Sequence, residues 1–197
     1  MQLDRKQIFT GIAFGLAVVG IFYLYVRGKK TNKQTVKDTN SSNSKNIVIG
    51  DSQTPYIANA SNEFNLLGKD GGEQNLWKGG MGLKWLKDAV NKYPISKEID
   101  NVAINIGTNG SFNKKDDIEG LVASLRRVFP NAKLFAVQGS WGWSPYNKNV
   151  TLEQVKSYYN RFANLGVKVI NPPIGAIEPH GNKPIYKQIG KNLDALI

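Results

Sequence analysis

Asn46-Ile47-Val48-Ile49-Gly50-Asp51-Ser52 is the stretch on which the reading of this chain turns. Three consecutive β-branched residues are closed by a glycine and followed by polar side chains, the pattern of a short strand buried on both faces. Similar runs recur at Asn101–Ile106 (NVAINI), Lys133–Val137 (KLFAV) and Val167–Ile170 (VKVI), with a weaker one at Leu76-Trp77. Helix-period segments lie between them. In 151–165, Leu152, Val155, Tyr159 and Phe162 recur at steps of three and four, behind a Thr151-x-x-Gln154 capping box. The stretch 183–196 repeats the pattern with Ile185, Ile189, Leu193 and Leu196, and 81–93 and 116–129 complete the set. Strands alternating with helices imply right-handed crossovers. The expected architecture is therefore a three-layer α/β/α sandwich around a parallel sheet of about five strands.

In such a fold, ligands bind beyond the carboxyl ends of the strands. Four groups fall there. Ser52 follows the first strand at a strand-to-helix turn, where Gly50 permits a tight bend and the helix N-terminus offers backbone N–H donors. Gly107-Thr108-Asn109-Gly110 follows the third strand, and the Asn109 amide is a donor. Gly79-Gly80-Met81-Gly82 supplies backbone that approaches a ligand closely. His180, the one histidine of the chain, lies between the last strand and the last helix. Each group alone has an ordinary structural explanation, such as Ser52 capping a helix. Their common position at predicted strand ends is what carries information.

Taken in order, these blocks resemble the SGNH (GDSL-type) hydrolases. The stretch 47–52 is similar to the family's first block, the glycines 80–82 to the second, Gly107-Thr108-Asn109 to the third, and His180 with Tyr186 and Ile189 to the last. The resemblance covers residues 46–197. It implies a flavodoxin-like sandwich and ester hydrolysis with Ser52 as nucleophile and His180 as general base. The Ser52 N–H, a Gly80 or Gly82 N–H and the Asn109 amide would be the oxyanion donors. The chain departs from the pattern twice. Gly110 stands where the third block usually ends in Asp, and Ile177 stands where the family places an Asp three residues before the histidine. Glu178 is the nearest carboxylate. Either it reaches the imidazole as the acid partner or a backbone carbonyl orients the ring, and the loss of a triad acid lowers a rate by orders of magnitude without abolishing it. A hydrolase and a catalytically impaired binding or structural protein of a membrane-containing assembly both remain open at this point.

Upstream, Ile8–Val26 (IFTGIAFGLAVVGIFYLYV) is nineteen residues without a charge. At about 1.5 Å per residue a helix of that length spans roughly 28 Å, close to the hydrocarbon thickness of a bilayer. The expected organisation is a tail (1–7), a single transmembrane helix (8–26), a flexible polar basic linker (27–45) and the α/β domain (46–197). Of the net charge of +11, +6 sits in residues 1–45, with eight Lys or Arg against two acids. Basic residues beside an apolar run point to an anionic lipid bilayer as partner. The bias of five cations after the span against two before it favours the cytoplasmic side, or the interior of a particle, for the domain. A module that recognises anionic lipid through residues 27–45 is a further reading. Five Arg against 21 Lys, with no recognition-helix pattern, argues against nucleic acid.

The absence of Cys excludes disulfides and thiolate chemistry, and a single His leaves little for a metal cluster, so neither metal nor cofactor is expected. Asp70-Gly71-Gly72 reads as a turn. The loop after the fourth strand carries Trp141, Trp143 and Tyr146. Rings there suit stacking on sugars or contact with acyl chains, although one or two of them anchoring the loop to the core is as good an explanation. The expected substrate is an ester or an acetylated glycan, as in cell-wall polymer, or a lipid ester.

Overall fold

A computed structural model describes residues 44–68, 74–181 and 183–197. The elements, in chain order, are β1 (Asn46–Gly50), α1 (Thr54–Ala60), β2 (Asn65–Leu66), α2 (Leu83–Lys92), β3 (Asn101–Asn105), a 3₁₀ turn (Thr108–Gly110), α3 (Ile118–Val128), β4 (Lys133–Val137), α4 (Leu152–Asn164), β5 (Lys168–Ile170) and α5 (Pro184–Asp194). All strand pairs are parallel, in the order β2-β1-β3-β4-β5.

Period-two alternation along buried strands sorts the side chains into two cores. Ile47, Ile49, Val102, Ile104, Leu134 and Ala136 face one side, where α2, α3 and α4 close over them with Leu86, Leu125 and Phe162. Val48, Ala103, Phe135 and Val137 face the other, under Ile57 of α1 and Ile189 and Leu193 of α5. The expected three layers are therefore present. Each fully buried large aliphatic or aromatic side chain in them contributes roughly 1.5–3 kcal/mol.

The second strand is a correction. It lies at Asn65–Leu66, opposite Ile47 and Val48, and not at Leu76-Trp77. Phe64 is buried as the chain leaves α1, and the strand ends as the backbone turns at Gly68. Leu76 and Trp77 run along the end of β1 instead: Gly50 N–H donates to Leu76 O at 2.9 Å, and Lys78 N–H to Gly50 O at 3.0 Å. This arrangement delivers the glycines 79–82 to the neighbourhood of Ser52. Gly50 is required on contact grounds, because a Cβ there would sit 1.8 Å from Asn105 O on β3.

Helix ends follow local chemistry. Asp117 caps α3 by accepting from Gly120 N–H. Thr151 caps α4 by accepting from Gln154 N–H, but the reciprocal half of the expected box is absent. The Gln154 side chain donates instead to Ser111 O at 2.7 Å, pinning the loop that follows Asn109. Lys45, at the end of the expected linker, already belongs to the domain, since its carbonyl accepts from Asp100 and Asn101. The candidate span 8–26, the tail before it, linker residues 27–43 and the Asp70-Gly71-Gly72 turn lie outside the described residues. No helix among the described residues is long and apolar enough to cross a membrane.

Candidate active site

The sheet order reverses between β1 and β3, so the crevice beyond their carboxyl ends is where this topology places a ligand. Ser52 emerges there from the turn between β1 and α1. Asn109 emerges from the 3₁₀ turn after β3, and His180 from the loop between β5 and α5. Ser52 Oγ is 2.9 Å from His180 Nε2, and His180 Nδ1 is 2.6 Å from Glu178 Oε1. The same carboxylate oxygen accepts from the His180 backbone N–H at 2.9 Å. With Nδ1–H donating to the carboxylate, Nε2 is left to accept the serine proton. Of the two ways of orienting the ring left open by the residues, the carboxylate is the one present.

The histidine turn is held from below. The Tyr186 hydroxyl, on α5, donates to Pro179 O at 2.8 Å. Burial, with negative charge at Asp51 and Glu178, pushes the Tyr186 phenol up, so it stays a donor. Two rings flank the imidazole edge-on. Trp143 lies at 5.7 Å and Tyr56 at 6.1 Å between ring centroids, and Tyr56 stacks in turn on Tyr186.

The expected oxyanion donors surround the serine. A Cβ at Gly79 would lie 3.8 Å from Ser52 Cβ, and one at Gly82 would lie 4.0 Å from Gly110 N, so the glycine run lies between the Ser52 and Asn109 loops. Gly80 adopts φ +76° with open space around it. Asn109 Nδ2 donates one hydrogen to Met81 O at 3.2 Å, which fixes the amide and leaves its second hydrogen for a ligand. The backbone N–H groups of Ser52, Gly80 and Gly82 have no acceptor among the described residues.

The aromatic loop divides. Trp141 is 8% exposed and packs into the core on the α2–α4 side, with its backbone N–H donating to Gly175 O. It anchors the loop and is removed from the expected substrate-contacting set. Trp143 is half-buried beside His180, its indole donating to Ser140 Oγ at 2.9 Å. Tyr146 is 89% exposed and its carbonyl accepts from Ser111 Oγ.

A buried polar network lies behind the site, unanticipated from the sequence. Gln53 Nε2 donates to Thr108 Oγ1 at 2.9 Å, Ser140 N–H donates to Gln53 Oε1 at 3.1 Å, and Thr108 Oγ1 donates to Ser140 O at 3.1 Å. It ties together the residue after Ser52, the residue before Asn109 and the loop bearing Trp143. The sequence signal was adjacency: Gln53 and Thr108 sit inside or beside the motifs already singled out, and Tyr56 lies one helical turn after Ser52. Asp51, fully buried, has its carboxyl pushed up to about 7 by desolvation, opposed in part by the Gln53 N–H that it accepts.

No family model and no curated protein sequence matches this chain. Among solved structures, a protein from Streptococcus pneumonia provisionally described as a platelet activating factor is similar, with a TM-score of 0.55 and 14% sequence identity over 93% of this chain and 98% of that one. At that identity the likeness is one of fold.

Proposed function

We propose that this chain is a serine hydrolase of the SGNH type, with a flavodoxin-like domain, that cleaves an ester or acetyl group through Ser52, His180 and Glu178. The carrying observation is the continuous run of contacts from Ser52 Oγ through the imidazole to Glu178, at 2.9 and 2.6 Å. The strand order and the fold shared with the Streptococcus protein support the reading at the level of architecture. The impaired-scaffold alternative rested on Ile177 standing in the usual acid position, and the placement of the Glu178 carboxylate on Nδ1 weighs against it.

The chemistry follows from these positions. His180 Nε2 takes the Ser52 proton as Oγ attacks the carbonyl carbon. The carbonyl oxygen becomes an anion facing the Ser52 N–H, the glycine N–H groups and the free hydrogen of the Asn109 amide. Collapse expels the alcohol, which takes the proton from His180 and leaves an acyl-serine. Water, deprotonated by the same nitrogen, then releases the acid. His180 is 41% and Glu178 50% exposed at the side chain, and Tyr146 stands out into solvent. An open site with the Trp143 and Tyr146 rings at its rim suits a short acyl group on a large carrier, either an O-acetylated glycan or a lipid ester. Residues 8–26 serve as the membrane anchor in this reading, with the basic residues after them against anionic lipid.

The test is hydrolysis of p-nitrophenyl acetate by the full chain, by Ser52→Ala and by His180→Ala. Turnover abolished by both substitutions supports the proposal. A folded native chain that is no faster than Ser52→Ala overturns it.

A further inference from the structure

In the proposed mechanism, attack by Ser52 Oγ builds a tetrahedral carbon whose other three substituents must each find a place. The strand order assigns two of them. The glycines 79–82 follow Trp77, which bridges to Gly50 on the β2 side of β1, and Asn109 follows β3. The oxyanion belongs there. Trp143 and His180 come from the other half of the sheet, in the connections after β4 and β5, which a bridge between Ser140 and Gly175 ties together beyond the strands. The Nε2 that takes the Ser52 proton must afterwards give it to the departing alcohol oxygen, so that oxygen comes within about 3 Å of Nε2. Whatever the oxygen carries then lies beside the rings that flank the imidazole, and the acyl group takes the remaining direction.

Of the two flanking rings, Trp143 is the one held as a wall. Its backbone N–H and that of Ser144 donate to Asn147 Oδ1, each at 3.1 Å, and Asn147 is buried. Its indole N–H donates to Ser140 Oγ at 2.9 Å. Ser140 is fully buried and held through its own backbone, the N–H donating to Gln53 Oε1 and the carbonyl accepting from Thr108 Oγ1. The ring is thus fixed at both ends, and binding need not order it. Its one polar hydrogen is engaged, so it recognises through apolar surface alone. Tyr56, the other ring, already stacks on Tyr186 with centroids 5.4 Å apart.

We propose that Trp143 is a specificity-determining residue that reads the alcohol half of the ester and selects alcohols presenting an apolar face over small ones. The inference rests on Ser52 being the nucleophile. In acylation the bond from Oγ to the acyl carbon forms and the bond from that carbon to the alcohol oxygen breaks. The proton passes from Oγ through Nε2 to the alcohol oxygen. The alcohol has left before water releases the acid, so Trp143 acts on the first half of the reaction. It therefore discriminates in kcat/KM, which reports the steps through acylation. The acyl chain does not meet it.

The full chain, in one non-ionic detergent, would be assayed by pH-stat on benzyl acetate, methyl acetate and methyl butanoate. Benzyl alcohol and methanol are nearly equal in acidity, so the acetates differ in the ring and not in leaving-group reactivity. The expected result is Ser52-dependent hydrolysis with kcat/KM about tenfold higher for benzyl than for methyl acetate. Trp143→Ala should bring that preference to within about twofold of parity, and should leave the ratio of methyl acetate to methyl butanoate within about twofold of native. Trp143→Leu, which fills part of the space without a ring, should lower the preference likewise and keeps the test open if the alanine variant does not fold. A native chain that hydrolyses the esters through Ser52 without preferring benzyl acetate overturns the inference and leaves the hydrolase reading standing. So does a preference that neither substitution lowers, or a change confined to the acyl pair. An equal loss on all three esters also overturns it, because the ring then only supports the imidazole. If the native chain is no faster than Ser52→Ala on any ester, both readings fall.

Discussion

Replacing Asp51 by Asn should change how stability depends on pH more than it changes stability at any one pH. Asp51 is fully buried, one oxygen accepts from Gln53 N–H at 3.0 Å, and Oδ2 has no partner. Its carboxyl is pushed from 3.8 up to about 7, so the folded chain holds that proton more tightly than the unfolded chain does. The sign is opposite to that of a salt-bridged aspartate. The contribution is fully present below pH 3.8 and is lost progressively as pH rises towards 7. At 1.36 kcal/mol per pH unit the whole window corresponds to roughly 4 kcal/mol, of which roughly 2–3 kcal/mol falls between pH 5 and pH 8. The Asp51→Asn side chain would not titrate, although its buried amide costs about 1–3 kcal/mol if left without an acceptor. Urea unfolding of the native chain and of Asp51→Asn at pH 5, 6, 7 and 8 isolates the effect, because other carboxylates cancel in the difference. The stability of Asp51→Asn relative to native should rise by roughly 2–3 kcal/mol from pH 5 to pH 8, with m-values unchanged. A difference that stays flat with pH, or that falls, would refute the reasoning, since Asp51 would then titrate as an ordinary exposed carboxylate does.

The proposed mechanism yields kinetic expectations. Glu178→Gln keeps an oxygen for the two His180 N–H groups but removes a half-exposed charge, so kcat for aryl acetate should fall about tenfold, and Glu178→Ala should fall about a hundredfold. Glu178→Asp withdraws the carboxylate by one methylene, and should behave like Glu178→Ala if reach matters more than charge. Asn109→Ala removes a side-chain oxyanion donor, and should lower kcat about a hundredfold while KM changes little, as read from steady-state curves. Gly190→Ala drives a Cβ to 2.2 Å from Ala60 O between α5 and α1. It should therefore destabilise the domain by about 1–3 kcal/mol in urea unfolding.

The large elements were legible because burial on both faces leaves a strong mark. β1 at Asn46–Gly50 and β4 at Lys133–Val137 match their apolar runs to the residue. The four long helices each lie within their periodic segments. What failed was weak local signal. Asn65–Leu66 is a two-residue edge strand with one apolar member, so no alternation existed to read, whereas Leu76-Trp77 is apolar because it is buried beside the end of β1. Trp141 could not be told from Trp143 by composition. Positions two apart on a turn point in different directions, and only the path of the loop over the core decides which ring is covered.

The site was legible for a different reason. Ser52 and His180 are 128 residues apart in the chain, yet Ser52, Asn109 and His180 all lie in connections that follow a strand, and parallel crossovers bring those connections to one edge of the sheet. Position in the topology did the work that sequence proximity cannot. The acid was the part that spacing left undecided, because its contact depends on the shape of one short turn. Pro179 between the acid and the base is buried, and its carbonyl is fixed by Tyr186 on α5. With that peptide anchored, Glu178 and His180 project from one rigid bend towards solvent, and the two-carbon stem of glutamate spans the gap to Nδ1. The two features of this acid belong together: it stands two residues before the histidine, and its side chain is a glutamate's rather than the shorter aspartate's. A shorter acid at 178 lacks the reach, and a carboxylate introduced at 177 would still leave Glu178 competing for the same nitrogen.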